Sequence, residues 1–252
     1  MQAIVTENFD ISLVNFGKLK KQENGSVVNI YYKNKRENIN QILYLQTPLL
    51  DTFGMSLPYH KKDINIQQVK EDMEKYILTL ILNDNSKFFN VLDELQEKIK
   101  NDLAQNHYKT WLNDNTDKLD KMELDIRTLM IEQRIVKQLY RKNINQSKQS
   151  LITMNCKMLK KENGKWSFDT NCLEENTGNI IKENNNYKSF DPLELLYADG
   201  VKKRFPKVYC VLSISIWIIN GNIYLSPNVE RLLCKPVKTE IPKVMFDLNA
   251  IK

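Results

Sequence analysis

From Phe205 to Cys234 the chain reads FPKVYCVLSISIWIINGNIYLSPNVERLLC, and apolar and more polar positions alternate along it. Val208, Cys210, Leu212, Ile214, Ile216 and Ile218 fall on one side. Tyr209, Val211, Ser213, Ser215, Trp217 and Ile219 fall on the other. A period of two predicts a strand with one buried face. Asn220-Gly221 ends it, and this dipeptide suits the two positive φ angles of a type I′ turn. Ile223, Tyr224 and Leu225 then predict the returning strand of a hairpin. Its more polar side carries Tyr209 and Trp217, with Tyr224 on the return, and Lys202-Lys203-Arg204 leads into it.

The rest of the pattern predicts a β-rich, helical, β-rich order. Asp10 to Val14, Ser26 to Tyr32, Gln41 to Gln46 and Lys75 to Leu82 read as strands. They are separated by a basic turn at Lys18 to Lys21, a turn at Glu23-Asn24-Gly25, a polar turn at Asn34 to Asn40 and a bend at Phe53-Gly54-Met55. Ser86 is placed to cap a helix whose Phe88, Leu92, Leu95, Ile99 and Leu103 share one face. After a polar connector, Leu112 to Thr116, a second helix is predicted over Asp117 to Arg141. Its expected inner positions are Leu119, Met122, Ile126, Leu129, Ile135 and Leu139. Alternation returns over Gln149 to Leu159, and another strand starts at Lys165-Trp166-Ser167-Phe168 after a turn at Glu162-Asn163-Gly164. Glu174 to Lys188 reads as a loop, and Asp191-Pro192 caps a short helix, Leu193 to Ala198. Neither β half has enough strands to close on itself, so one β-core (1–85 and 148–234) with a helical insertion (86–145) and a basic tail (235–252) fits a single domain over 1–252.

Composition narrows the function. The 252 residues are 42% hydrophobic, enough for a real core, and carry a net charge of +6. The pI near 8.9 suits a polyanionic partner. No apolar run of membrane-spanning length is present and the N-terminus lacks the pattern of a secretory signal, so neither membrane insertion nor secretion is expected. Cys156, Cys172, Cys210 and Cys234 match no zinc spacing, and His60 and His107 lie far apart. Free thiols are therefore expected, with Cys210 buried, which favours a reducing compartment inside the cell.

Enzyme signatures are missing. The 7 glycines do not cluster into a phosphate loop, and neither G-x-S-x-G nor H-E-x-x-H occurs. Both histidines read as surface residues, and the acidic pairs Asp93/Glu94 and Glu174/Glu175 sit on solvated faces or loops. What recurs instead is a cation next to an aromatic. Tyr31-Tyr32-Lys33-Asn34-Lys35-Arg36 is one such cluster; Lys157, Lys160-Lys161 and Lys165-Trp166 form a second; Lys202-Lys203-Arg204-Phe205 with Tyr209 and Trp217 is the third. Cations that track phosphates and rings that stack on bases are what single-strand binding requires. Cross-strand packing also uses such rings, and a tryptophan three residues before a tight turn fits that role. Tyr209 and Lys202-Lys203-Arg204 are for that reason stronger candidates than Trp217.

Some of these residues resemble a known family. Gln46-Thr47-Pro48 followed by Phe53-Gly54-Met55-Ser56 is similar to the "LQTP…PFG(L/M)S" signature of single-stranded-DNA-binding proteins of nucleocytoplasmic large DNA viruses. Ile216 to Ile223 resembles their "IWxxNGKxG" hairpin, and Lys202 to Val208 their "KYPPTxKVK" segment. Asn222 and Tyr224 stand where that family has Lys and Gly, and the tail is basic where theirs is acidic. The resemblance implies an α+β fold, an OB-fold-like antiparallel β-barrel with a helical insertion. It also implies a role in viral DNA replication, recombination or packaging.

The expected function is non-enzymatic, sequence-independent coating and protection of single-stranded DNA. No cofactor and no metal are called for. The expected partners are single-stranded DNA, or RNA, and viral replication proteins, with no membrane; the expected location is the host cytoplasm (the viral factory) or the virion. Phosphates would meet Lys33, Lys35, Arg36, Lys160, Lys161, Lys202, Lys203 and Arg204, and bases would stack on Tyr31, Trp166, Tyr209 and Trp217. The alternatives are a structural or interaction protein of a large virus particle and, third, a divergent metal nuclease.

Overall fold

The structure is a computed structural model that describes residues 3–34, 38–56, 75–112, 120–142, 149–160, 166–168, 171–174, 182–183, 186–189 and 205–235; over 158–189 only the backbone is described. The strands ahead of the helices are β1 (Ile4–Val5), β2 (Val14–Phe16), β3 (Lys20–Gln22), β4 (Gly25–Asn34), β5 (Ile39–Ile42), β6 (Tyr44–Gln46), β7 (Thr52–Ser56) and β8 (Lys75–Leu82). Helix α1 spans Lys87–Asp102, runs through a π-helical turn at Leu103–His107 into α2 (Tyr108–Leu112), and is followed by α3 (Leu124–Arg134). Then come β9 (Ile135–Lys137), β10 (Ser150–Lys160), β11 (Trp166–Phe168), β12 (Asn171–Glu174), β13 (Lys182–Glu183), β14 (Asn186–Ser189), β15 (Lys207–Ile219) and β16 (Asn222–Lys235).

These strands form one network whose main path is β1–β6–β15–β16–β10–β8–β7. Strands from before and after the helices interleave in it. Among the described residues no pairing joins β7 to β1. The network is also not purely antiparallel, since β16 pairs in parallel with β9, β10 and β12. A chain that comes back from a helical excursion can lie in either direction, whereas a hairpin cannot.

The hairpin forms as its alternation predicts. Val208, Cys210, Leu212, Ile214, Ile216 and Ile218 are all buried. The turn has φ of 51° at Asn220 and 75° at Gly221, and the two arms stay paired from Ile219↔Asn222 to Lys207↔Lys235. Tyr76, Leu78 and Leu80 of β8 and Ile152, Met154 and Cys156 of β10 complete the inner face. Cys156, Cys210 and Cys234 are buried.

Helix α1 also follows its sequence. Its Phe89 N–H donates to Ser86 Oγ at 3.2 Å, and Phe88, Leu92, Leu95, Ile99 and Leu103 are buried. The π turn leaves its backbone short of regular helical bonds. Arg127 compensates: it donates to the carbonyls of Ala104 and Met122, each at 3.1 Å, and covers the Tyr108 ring.

The second helix is shorter than its periodicity suggests. It ends at Arg134, where the chain turns into β9 to pair with β16. Ile131 is its buried residue, while Ile126 and Leu129 stay 49% and 60% exposed. Leu139 is buried but outside any helix, and Leu119 lies outside the described residues. Other local expectations shift too. Ile11–Leu13 is a 3₁₀ turn, because the Asp10 carboxylate accepts from Ser12 N–H. The basic turn at Lys18 to Lys21 runs into β3, and Gln41 to Gln46 is divided between β5 and β6. Phe53-Gly54-Met55 belongs to β7, and the Glu174 to Lys188 loop contains β13 and part of β14. The turn at 162–164 and the helix expected at 193–198 lie outside the described residues.

His107 is no free surface residue. Its ring stacks on Trp111 at 4.4 Å, and Phe16 of β2 meets both rings edge-on. Burial lowers the imidazole pKa below 6.5, with Asp102 opposing the shift. The folded chain thus binds fewer protons than the unfolded chain, so stability is lost as pH falls through about 6.5. The thermal midpoint should drop between about pH 7 and pH 5, and His107→Phe should flatten that drop. An equal drop in the variant would assign it to other groups.

Candidate nucleic-acid interface

Residues directly opposite in a ladder point to the same side of the sheet, so the strand registers define the outer face row by row. Trp217 stands between Val27 of β4 and Tyr224 of β16. Lys20 lies beyond Val27, and Lys137 lies beyond Tyr224. One row across the sheet therefore reads Lys20, Val27, Trp217, Tyr224, Lys137. Both rings in it remain partly exposed.

The next rows are polar. Ser215 faces Asn29 and Ser226, and Ser213 faces Tyr44 and Asn228. Asn155 of β10 continues the second of these rows. It is buried, and its amide donates to Ser226 Oγ at 2.7 Å and to Asn228 Oδ1 at 3.2 Å. A groove of about 260 Å³ opens here, lined by Asn29, Tyr44, Lys157, Ser213, Ser215 and Glu230, among others. Further along β15, Tyr209 sits on the same face, eight residues and about 26 Å from Trp217.

Lys137 ends the aromatic row, and two more lysines stand beyond the polar rows on the same face. Lys157 lies directly opposite Lys75 across the β10–β8 ladder. Partial loss of hydration, and next the Lys157 charge, pull the Lys75 ammonium below the ordinary lysine range. Lys137 is lowered in the same way, first by burial and then by Lys75. Among the described residues none of the three forms an ion pair. Like charges facing each other cost stability, and a bound polyanion would relieve that cost.

Other predicted residues lie elsewhere. Tyr31 and Lys33 sit where β4 has left β15 to pair with β2 and β5. The Tyr31 ring covers Gly17, where a Cβ would come within 2.7 Å of Tyr31 Cε2. Lys33 is exposed and about 20 Å along the strand from Val27. Lys160 and Trp166 are opposite each other on the β10–β11 ladder, seen as backbone only. Lys35, Arg36, Lys161, Lys202, Lys203 and Arg204 lie outside the described residues. So the structure groups Trp217 and Tyr209 on one face and sets Tyr31 and Lys33 at a separate corner.

Sequence reasoning missed Lys75 and Lys137. Lys75 opens the apolar run KYILTLIL on the outward phase, a weak signal on its own. Lys137 carried no signal while its segment read as helix. Nor did Tyr44 or Glu230 stand out, because only β6 and β16 packing on opposite sides of β15 brings them together. Among the described residues no group of three or more His, Cys, Asp and Glu side chains is placed to hold a metal ion.

No family model and no curated protein sequence matches the chain. Among solved structures it is similar to gp2.5, a single-stranded DNA binding protein encoded by bacteriophage T7. That alignment has a TM-score of 0.41 and 6% identity over 81% of this chain and 97% of the phage chain. It is also similar to the single-stranded DNA-binding protein of bacteriophage Enc34, with a TM-score of 0.37 and 12% identity over 92% of this chain and 98% of that one. The Enc34 protein in complex with single-stranded DNA aligns with a TM-score of 0.37 and 12% identity over 86% and 93% of the two chains.

Proposed function

We propose that this chain binds single-stranded DNA along the outer face of β15 and β16, without catalysis, in a viral replication or recombination setting. One observation carries the reading: Trp217 and Tyr224 stand side by side with Lys137 at the end of their row, and further along the same face Lys157 and Lys75 stand opposite each other, none of the three lysines having an anionic partner among the described residues. Exposed rings stack on bases without reading sequence, and clustered ammonium groups release counterions on meeting phosphates. The distance from Trp217 to Tyr209 leaves room for several nucleotides. The viral setting, and an OB-type closure of the sheet, rest on the resemblance at Gln46 to Pro48, Phe53 to Ser56 and Ile216 to Ile223.

The test is a tryptophan fluorescence titration with oligo-dT and with duplex DNA at several salt concentrations. Preference for the single strand and a steep linear fall of log K with log salt are expected. Trp217→Ala should weaken oligo-dT binding by about 1–3 kcal/mol. No binding to oligo-dT at low salt would overturn the reading.

A further inference from the structure

A carboxylate stands in the middle of this face, where a phosphate-binding surface has no use for one. Glu230 is there because of a bulge. Val211 pairs with Arg231 and Leu212 with Val229, which leaves Glu230 as the extra residue of β16. A bulge re-aims side chains, and here it turns Glu230 into the groove beside β15. Ser213 Oγ donates to Glu230 Oε1. The carboxylate makes no ion pair among the described residues, not even with Lys157 on the same groove wall. It keeps most of its acceptor capacity. Across from it, burial first and Glu230 second raise the pKa of Tyr44, so that hydroxyl keeps its proton. Ser215 and Asn29 line the groove opposite each other.

A carboxylate repels phosphate and accepts from N–H groups. The groove, about 260 Å³, is smaller than the ~300–1,000 Å³ typical of drug-sized ligands. It suits one planar heterocycle. We propose that it seats a single nucleobase of the bound strand and favours bases with an exocyclic amine over thymine, Glu230 accepting from that amine. The proposal rests on the single-strand reading above. Carboxylates accept from cytosine N4 in the same way when proteins read base edges. Thymine would instead turn a carbonyl oxygen toward the carboxylate, acceptor against acceptor. The lysines flanking the groove would take the phosphates, so Glu230 also sets which side of the strand faces the protein.

The experiment is a fluorescence-anisotropy competition between oligo-dT and the same oligonucleotide with scattered thymines replaced by cytosine. It is run on the wild type and on Glu230→Gln. The wild type should prefer the cytosine-bearing strand about fivefold. Glutamine presents an amide donor as well as an acceptor, so E230Q should lose that preference and bind oligo-dT more tightly. Equal affinity of the wild type for the two strands overturns the proposal, whatever the variant does. So does a preference that survives in E230Q, or a gain in E230Q that is the same for both strands, which would mean Glu230 merely balances Lys157. No binding of either strand by the wild type is a different result, and it removes the single-strand reading itself.

Discussion

Replacing Lys75, Lys137 and Lys157 together with glutamine is expected to weaken single-strand binding about a hundredfold at ~0.1 M salt. The slope of log K against log salt should fall by about 2 at the same time. Each lysine that neutralises a phosphate on a single strand adds about 0.7 to that slope, so single replacements should cost roughly fivefold each. The free protein should respond in the opposite direction. Lys157 faces Lys75, and both Lys75 and Lys137 have lowered pKa values from lost hydration and mutual repulsion. Removing those charges should leave the thermal midpoint unchanged or raise it. Lysines that only supported the fold would show the reverse, a lower midpoint and an unchanged salt slope. That result would detach the cluster from binding.

The motifs behind the family resemblance have structural work in this chain. Thr47 is buried, its Oγ1 accepts from Cys210 N–H at 2.9 Å, and its own N–H donates to the Cys210 carbonyl at 2.8 Å. It fastens the end of β6 to β15. Gly54 has φ of 80° at a bulge in β7, and its N–H donates to Thr52 Oγ1 at 2.8 Å. Asn220-Gly221 makes the turn that lets Trp217 and Tyr224 meet. Short motifs of this kind hold a sheet in shape.

What could be read in advance was local. The β15 alternation, the Asn220-Gly221 turn, the Ser86 cap and the inner face of α1 all depend on residues a few positions apart. The length of α3 was hidden because pairing of Ile135–Lys137 with β16, a distant strand, ends the helix where propensity would have continued it. The lysine cluster was hidden for the same reason. Lys75, Lys137 and Lys157 sit in three separate segments, and only the β8–β10, β10–β16 and β9–β16 ladders bring them onto one face. Asn155 falls on the more polar phase of the Gln149 to Leu159 alternation. It is buried because Ser226 and Asn228 of β16 offer it partners. The bulge that turns Glu230 outward left no trace in the period-2 pattern.

Gly25→Ala should be the most damaging conservative change in the hairpin region. Gly25 opens β4 after the Glu23-Asn24 turn, with φ of 140°. A Cβ there would lie 2.7 Å from the Ile218 carbonyl oxygen and 3.0 Å from Ile219 Cγ1. The nearer atom is backbone, in the strand that β4 must join, so relief requires β4 to move off β15. Strain at such a φ costs about 1–3 kcal/mol, and overpacking adds a similar amount. A loss of roughly 2–6 kcal/mol lowers the midpoint of a chain this size by about 5–25 °C. Gly221→Ala is the control, since its φ of 75° is left-handed and should cost only about 1 kcal/mol. Because Ser26 pairs with Ile218 and Val27 with Trp217, G25A should also disturb the aromatic row and weaken oligo-dT binding even well below its melting temperature. A variant that melts with the wild type and binds as tightly would show that the β3–β4 turn does not seat Trp217.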